Sequence, residues 1–263
     1  MRHLRQHERL LVTLGSRRAF LLAAAAASLG GCRAAAVSGP PAAPVTTSPG
    51  SGVAAATATE TPLKSIQVWH DFTCPWCAIG LHNLHAALTK LGHSNGAVSF
   101  EPYLLSADTP ADGRDLRAHL GAKYGSVQVE GMINRAVEAG KGYGVALRFD
   151  IIRISPQTIP AHALVAAAPA ELRWGLVEKL HEAYFQRGEN IGDRAVLAAI
   201  ATAAGVDAAL ATAAFDPAQG AAVRQRASST SLLGIQGVPH FKIGGRPLHG
   251  AQPPEAFVAA LSA

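Results

Sequence analysis

Cysteine is scarce in this chain of 263 residues, with only Cys32, Cys74 and Cys77 present. Three cysteines cannot build the disulfide framework of a small secreted domain, and two of them stand in a single Cys-x-x-Cys motif. Methionine occurs only twice, and there is no Met-rich or His-rich tract of the kind that binds copper. We therefore expect each cysteine to have a function of its own.

Charge is also sparse, because charged residues make up 16% of the chain. The net charge of +5 is concentrated in residues 1–31, which contain five arginines and one glutamate. The remainder is nearly neutral, so the basic balance does not indicate nucleic-acid binding. With 49% hydrophobic residues the chain is too apolar to be disordered, and its length suits one domain with an insertion or two small domains.

The longest N-terminal apolar run, 19–31, has 13 residues, whereas spanning a bilayer takes about 20. A basic segment followed by a short apolar run predicts a signal peptide over 1–31; the alternative is a buried Ala-rich helix. Leu29-Gly30-Gly31-Cys32 resembles the lipobox of bacterial lipoproteins, which predicts lipidation of Cys32. Residues 16–21 also resemble the twin-arginine export motif. Residues 32–63 are rich in Ala, Pro, Ser and Thr and predict a flexible tether to a membrane.

The next segment has the pattern of a strand, a helix and a second strand. Residues 66–72 are β-branched and aromatic and predict a strand, as do residues 98–103. Thr73 is expected to cap the intervening helix and Pro75 to occupy its first turn. The apolar face of that helix is predicted to comprise Leu81, Leu84, Leu88 and Leu91.

The middle of the chain is predicted to be helical, and its end returns to strands. The helices are expected over 114–124, 127–138, 160–168, 171–186, 193–203, 208–215 and 217–233. Strands are then expected over 238–243 and 247–249, joined by a turn at Gly244-Gly245, with a last helix from Pro253 or Pro254. The predicted order is therefore βαβ, many helices, then ββα, an α/β architecture.

The Cys74-Pro75-Trp76-Cys77 motif lies where the first strand meets its helix. Backbone N–H groups without partners and a partial positive charge at a helix N-terminus stabilise a thiolate at Cys74. Cys77 lies one turn along and can attack a mixed disulfide on Cys74. Two alternatives are a zinc site, which would need His70 and His240 as well, and a purely structural disulfide. Redox chemistry is the favoured interpretation, with no metal.

Three motifs together resemble the DsbA family of thiol–disulfide oxidoreductases, and its FrnE-like branch in particular. They are the Cys-x-x-Cys after a strand, Gly237-Val238-Pro239-His240-Phe241, and Gly250-Ala251-Gln252-Pro253-Pro254-Glu255. The resemblance extends from Ser65 to the C-terminus. It implies a thioredoxin fold in two parts, 64–105 and 217–263, with a helical domain inserted over 106–216.

The resemblance also implies roles for individual residues. Cys74 would be the nucleophile and Cys77 the resolving thiol. Pro239 would follow a cis peptide bond beside the cysteines, and Val238 would offer backbone groups to a bound peptide; a trans proline starting an edge strand is the alternative. Trp76 stands where DsbA has histidine, so we expect a less oxidising site. Trp69 and Trp76 could line a peptide groove; packing in the core or at the rim is the alternative.

These observations predict an exported, lipid-anchored enzyme of the cell envelope. It would act on protein thiols or disulfides with a separate redox partner and without an organic or metal cofactor. One alternative is a glutathione-using enzyme of the kappa-class transferase or hydroxychromene-carboxylate isomerase type, and another is a copper-delivering lipoprotein. His162 is expected to be a partly buried histidine with its hydrogen bonds satisfied.

Overall fold

The computed structural model describes residues 63–93 and 98–263 of the chain. Its strands are β1 (Ile66–His70), β2 (Val98–Pro102), β3 (Arg114–Asp115), β4 (Ile154–Ser155), β5 (His240–Ile243) and β6 (Arg246–His249). A central sheet has the order β2-β1-β5-β6. In it β1 is parallel to β2 and antiparallel to β5, and β6 is antiparallel to β5. The parallel pair is joined by a helix, as the right-handed βαβ rule leads one to expect.

The described residues also form nine α-helices. These are α1 (Pro75–Lys90), α2 (Leu116–Tyr124), α3 (Ser126–Gly142), α4 (Ile159–Ala167), α5 (Ala170–Arg187), α6 (Arg194–Ala203), α7 (Ala208–Ala214), α8 (Pro217–Ser228) and α9 (Pro254–Ser262). Seven of them follow β2 and precede β5. The predicted order of elements is therefore confirmed.

Element boundaries differ from prediction where local hydrogen bonds intervene. Helix α2 begins at Leu116 because the two residues before it pair with β4 in a small sheet, which was not predicted. The Asp115 carboxylate then accepts a hydrogen bond from the backbone N–H of Ala118 and caps the helix. Helix α8 ends at Ser228, and a 3₁₀ turn over Ser229–Leu233 replaces its predicted last turn.

Helix α1 packs against the sheet through the apolar face that its sequence predicts. Leu81, Leu84 and Leu88 are buried, whereas Leu91 lies just beyond the helix end and is half-buried. Helix α9 packs beside α1 and brings Phe257 against Phe241 of β5, with ring centroids 4.8 Å apart. This layer fixes the position of the first turn of α1 relative to the start of β5.

The predicted signal peptide over 1–31, Cys32 and residues 32–62 of the tether lie outside the described residues. Their assignments stay predictions, and so do the domain boundaries at 105/106 and 216/217. Of the helices that the structure describes, none combines the length and apolar character needed to cross a bilayer.

Candidate active site

The turn between β1 and α1 presents the cysteine motif. Cys74, rather than the predicted Thr73, occupies the N-cap position, and its backbone N–H donates to the carbonyl of Asp71 at 3.1 Å. The Thr73 backbone N–H and hydroxyl both donate to the Asp71 carboxylate at 2.9 Å, so Thr73 is engaged one step earlier in the turn. Pro75 lies in the first turn as predicted, where its missing N–H costs nothing.

The two cysteines are free thiols held within one helical turn. The Cys74 carbonyl accepts a hydrogen bond from the Cys77 backbone N–H at 3.0 Å. Both side chains are buried, but Cys74 lines an open cavity whereas Cys77 is fully enclosed. Burial, and then the hydrogen bond and charge of Cys74, raise the pKa of the Cys77 thiol well above its usual value. The pair is therefore asymmetric, with Cys74 facing the solvent side.

Val238 and Pro239 approach this turn from the start of β5. Their peptide bond is cis, which confirms the prediction. The carbonyl oxygen of Val238 lies 3.9 Å from Cys74 Sγ. Gly80 of α1 allows the approach, because a Cβ there would lie 3.0 Å from Pro239 Cγ. The structure thus brings together the residues that the sequence motifs separate by more than 160 positions.

Asp71 is a buried carboxylate that the sequence analysis did not single out. Besides its two hydrogen bonds from Thr73, it accepts one from the Leu105 backbone N–H at 2.8 Å and one from the Thr158 hydroxyl at 3.4 Å. Burial raises its pKa, and these hydrogen bonds work against that rise. Asp71 therefore joins the cysteine turn to the chain after β2 and to the start of α4. In the sequence, this role could have been indicated by the position of Asp71, a charged residue inside a strongly apolar run.

Three buried histidines form a cluster around Phe72. The ring of His70 lies 5.1 Å from that of His162 and 6.1 Å from that of His181. Nε2 of each ring, and also Nδ1 of His70, lacks a hydrogen-bond partner among the described residues. Burial lowers the pKa of all three, to about 3 for His162 and about 4 for His181. The expectation of a partly buried, satisfied His162 was therefore wrong, because this ring is buried against His70 and Phe72.

His240 lies on the opposite face of β5 from Phe241, next to Trp69 and His249. Its Nδ1 is 3.1 Å from Nδ1 of His249 on β6, and its ring meets Trp69 edge-on. Burial, and then the charge of His249, lower its pKa. Within residues 63–93 and 98–263, no three or more His, Cys, Asp or Glu side chains are grouped so as to hold a metal ion.

A cavity of about 430 Å³ opens beside Cys74. One side is formed by the cysteine turn with Trp76, and by Val238. The other side is formed by apolar side chains of α2, α3 and the segment after them: Leu116, Leu120, Val129, Met132, Ile133 and Phe149. Trp76 lines the cavity and is 41% exposed, whereas Trp69 is buried. A group entering the cavity would thus lie next to the Cys74 thiol.

The sequence profile of the DSBA-like thioredoxin domain family matches residues 65–262. The chain belongs to this family. Its fold is the DsbA-like thioredoxin fold with a helical insertion, as predicted. No curated protein matches the chain.

Solved structures of DsbA-like proteins are similar to it. A probable DsbA oxidoreductase from Streptomyces coelicolor is 26% identical with a TM-score of 0.65, and the match covers 76% of this chain and 88% of that one. The cytosolic disulfide reductase DsbM from Pseudomonas aeruginosa is 20% identical with a TM-score of 0.52, covering 75% and 97%. A 2-hydroxychromene-2-carboxylate isomerase is 12% identical with a TM-score of 0.56, covering 75% and 94%. The last two similarities concern the fold alone.

Proposed function

We propose that this DsbA-like protein is a thiol–disulfide oxidoreductase that exchanges disulfides with cysteines of envelope proteins. The observation that carries the proposal is the asymmetry of the cysteine pair at the start of α1. Cys74 lines an open cavity, and Cys77 is enclosed one turn behind it. An accessible sulfur backed by a buried second thiol is the arrangement that exchange requires.

The exchange would proceed in two displacements at sulfur. In the oxidising direction, a substrate thiolate attacks Cys74 in the Cys74–Cys77 disulfide, that S–S bond breaks, and Cys77 leaves. A second substrate thiolate then attacks the substrate sulfur of the mixed disulfide, and Cys74 leaves. The substrate loses two electrons and two protons, which the enzyme holds as two thiols until a redox partner removes them. The reverse sequence reduces a substrate disulfide, and neither direction uses an organic or metal cofactor.

Neighbouring groups would assist each step. The raised pKa of Cys77 favours its reprotonation after it leaves, which disfavours immediate reclosure onto Cys74. The Val238 carbonyl lies beside Cys74 and could accept a hydrogen bond from an extended substrate backbone. Trp76 supplies no positive charge to the thiolate, so we expect a reduction potential more negative than the roughly −120 mV of DsbA.

The proposed location is the cell envelope, with the folded part held to a membrane by a lipid on Cys32. The support is in the sequence: a basic and then apolar segment over 1–31, the Leu-Gly-Gly-Cys motif and a Pro-rich tether. Outside the cytoplasm disulfides persist, which suits a chain whose cysteines include one exchanging pair. The three sequence motifs support the FrnE-like branch. Mass spectrometry of the mature protein from its host would test the lipid, and an unmodified Cys32 would exclude it.

The cysteine roles are tested by alkylation and by trapping. In the reduced protein iodoacetamide near pH 6 should label Cys74 before Cys77, because Cys77 is enclosed and has a raised pKa. Cys77→Ser should accumulate mixed disulfides with substrate proteins, and Cys74→Ser, the matched control, should accumulate none. Faster labelling of Cys77, or equal trapping by both variants, would show that the roles are wrongly assigned.

The same variants separate the proposal from its alternatives. A glutathione-using isomerase would keep its activity in Cys77→Ser, because only the thiolate of bound glutathione would be needed. A copper carrier would bind Cu⁺ through both reduced thiols and lose it in either variant, with no turnover of disulfides. Loss of dithiol oxidation in both cysteine variants, without tight copper binding in the wild type, is the result expected for the oxidoreductase.

A further inference from the structure

The cavity beside Cys74 carries positive charge that disulfide exchange itself does not require. Lys123 and Arg135 both line it, and among the described residues that line it none is Asp or Glu. The Lys123 ammonium is engaged with the Leu105 carbonyl at 2.5 Å. The Arg135 side chain is exposed and has no hydrogen bond or ion pair with any other described residue. An arginine without a partner at a cavity edge is available to an anionic group of a ligand.

Two hydroxyl groups also line the cavity, on residues that are more buried than Arg135. Tyr184 is 1% exposed and Ser155 is 6% exposed, and both line the cavity. Neither hydroxyl has a hydrogen bond with another described residue, and neither oxygen is among the fully enclosed atoms that lack a partner, so both are open to a ligand that enters the cavity. Burial raises the pKa of Tyr184, so its hydroxyl stays protonated and able to donate. A ligand with hydrogen-bond acceptors would satisfy both groups.

Apolar side chains form much of the remaining wall, which also includes five polar residues: Thr73, Tyr103, Ser106, His119 and Gln236. Leu116, Leu120 and Ile133 provide contact for methylene groups but none for polar ones. At the solvent side, Trp76 and Tyr124 line the cavity and are 41% and 40% exposed. A small thiol filling the cavity would leave these two rings uncovered, whereas an extended polypeptide that continues past the entrance would cover them.

We propose that this cavity binds a glutamate side chain adjacent to the reactive cysteine of an extended substrate polypeptide. The two methylene groups of glutamate match the apolar side chains of the wall, and its carboxylate can either pair with Arg135 at the edge or accept hydrogen bonds from the hydroxyls of Tyr184 and Ser155 further in. The substrates of this enzyme are therefore acidic around the cysteine that it attacks or releases. This inference rests on the proposed function, since it names the substrate class of that exchange reaction.

The test uses the full protein, oxidised, and synthetic heptapeptides with one cysteine. The peptides are identical except for Glu, Gln or Lys next to the cysteine. For each peptide, the rate of mixed-disulfide formation with the enzyme is divided by the rate at which the same peptide reacts with a small-molecule disulfide. This division removes the effect of the neighbouring charge on the reactivity of the peptide thiol itself. We expect the Glu peptide to react about threefold faster than the Gln peptide, with Lys slowest, and the preference to shrink at high salt.

Matched variants locate the effect in the cavity. Arg135→Glu should reverse the order of the Glu and Lys peptides, and Tyr184→Phe should reduce the ratio of Glu to Gln rates. Lys90→Glu makes the same charge change at the far end of α1 and should alter neither ratio.

The remaining outcomes overturn either the inference about glutamate or the proposed function. Equal normalised rates for the three peptides, or a preference unchanged in Arg135→Glu, would overturn the inference while leaving the oxidoreductase intact. Glutathione reacting faster than the Glu peptide on the same normalised scale would overturn the polypeptide occupant. Absence of exchange with every thiol would overturn the proposed function itself.

Discussion

Mild acid should destabilise this protein, because the folded chain holds His162 and His181 neutral. Burial lowers the pKa of His162 to about 3 and that of His181 to about 4. In the unfolded chain a histidine takes up a proton near pH 6.5, so below that pH the unfolded state binds more protons and stability falls as pH falls. Between about pH 7.5 and about pH 5 the loss is about 2 kcal/mol for each histidine, or about 4 kcal/mol for both.

A loss of that size is a large share of the 5–15 kcal/mol that typically stabilises a folded domain. Asp71 acts in the opposite direction, because its raised pKa makes the folded state the one that gains a proton as pH falls through that pKa. His70, also with a lowered pKa, adds to the acid loss. We therefore expect the net effect to be destabilising, since three histidines oppose one carboxyl.

The measurement is the free energy of unfolding in urea at several pH values between neutral and about pH 5, with the cysteines kept reduced. His162→Leu should reduce the pH slope by about one proton, because the variant no longer differs in protonation at that site. His82→Gln, on the exposed side of α1, is the matched control. A free energy that does not change with pH over this range, or an unchanged slope in His162→Leu, would refute the reasoning.

Two further predictions concern the cysteine turn and its support. Gly80→Ala should destabilise the protein by about 1–3 kcal/mol in urea unfolding, because its Cβ would meet Pro239 at 3.0 Å; Gly175→Ala, with no atom within 4 Å, should instead be neutral or stabilising. A stabilised Gly80→Ala would contradict the tight approach. Asp71→Asn should lower the free energy of unfolding by about 1–3 kcal/mol. The single oxygen of asparagine can still accept from Thr73, but its amide nitrogen cannot accept from the Leu105 N–H. An Asp71→Asn variant as stable as the wild type would show that this carboxylate does not join the three segments.

Short-range patterns made much of the fold and the cysteine turn predictable. The spacing of Leu81, Leu84 and Leu88 depends only on the helical repeat, and it indicated the buried face of α1 correctly. The position of Pro75 in the first turn likewise follows from its missing N–H. The approach of Pro239 to Cys74 could not follow from such patterns. It came from the family resemblance, because it joins segments far apart in sequence.

The features that escaped prediction depend on contacts between distant segments. His70, His162 and His181 come from β1, α4 and α5, and nothing local to any of them indicates that the three rings meet. The two-residue strands β3 and β4 are too short to show a periodicity of two. Tyr184 reads as one more apolar position of α5, and only the packing of α2 and α3 shows that it also lines the cavity.

The order of the sheet leaves β2 and β6 as its two edges, and both carry features that hinder pairing with another molecule. Each contains a proline without an N–H, Pro102 and Pro247, next to a charged residue, Glu101 and Arg246. Natural sheets use such residues to prevent edge-to-edge aggregation. Crowding of many copies on one surface should therefore not join their sheets into larger assemblies.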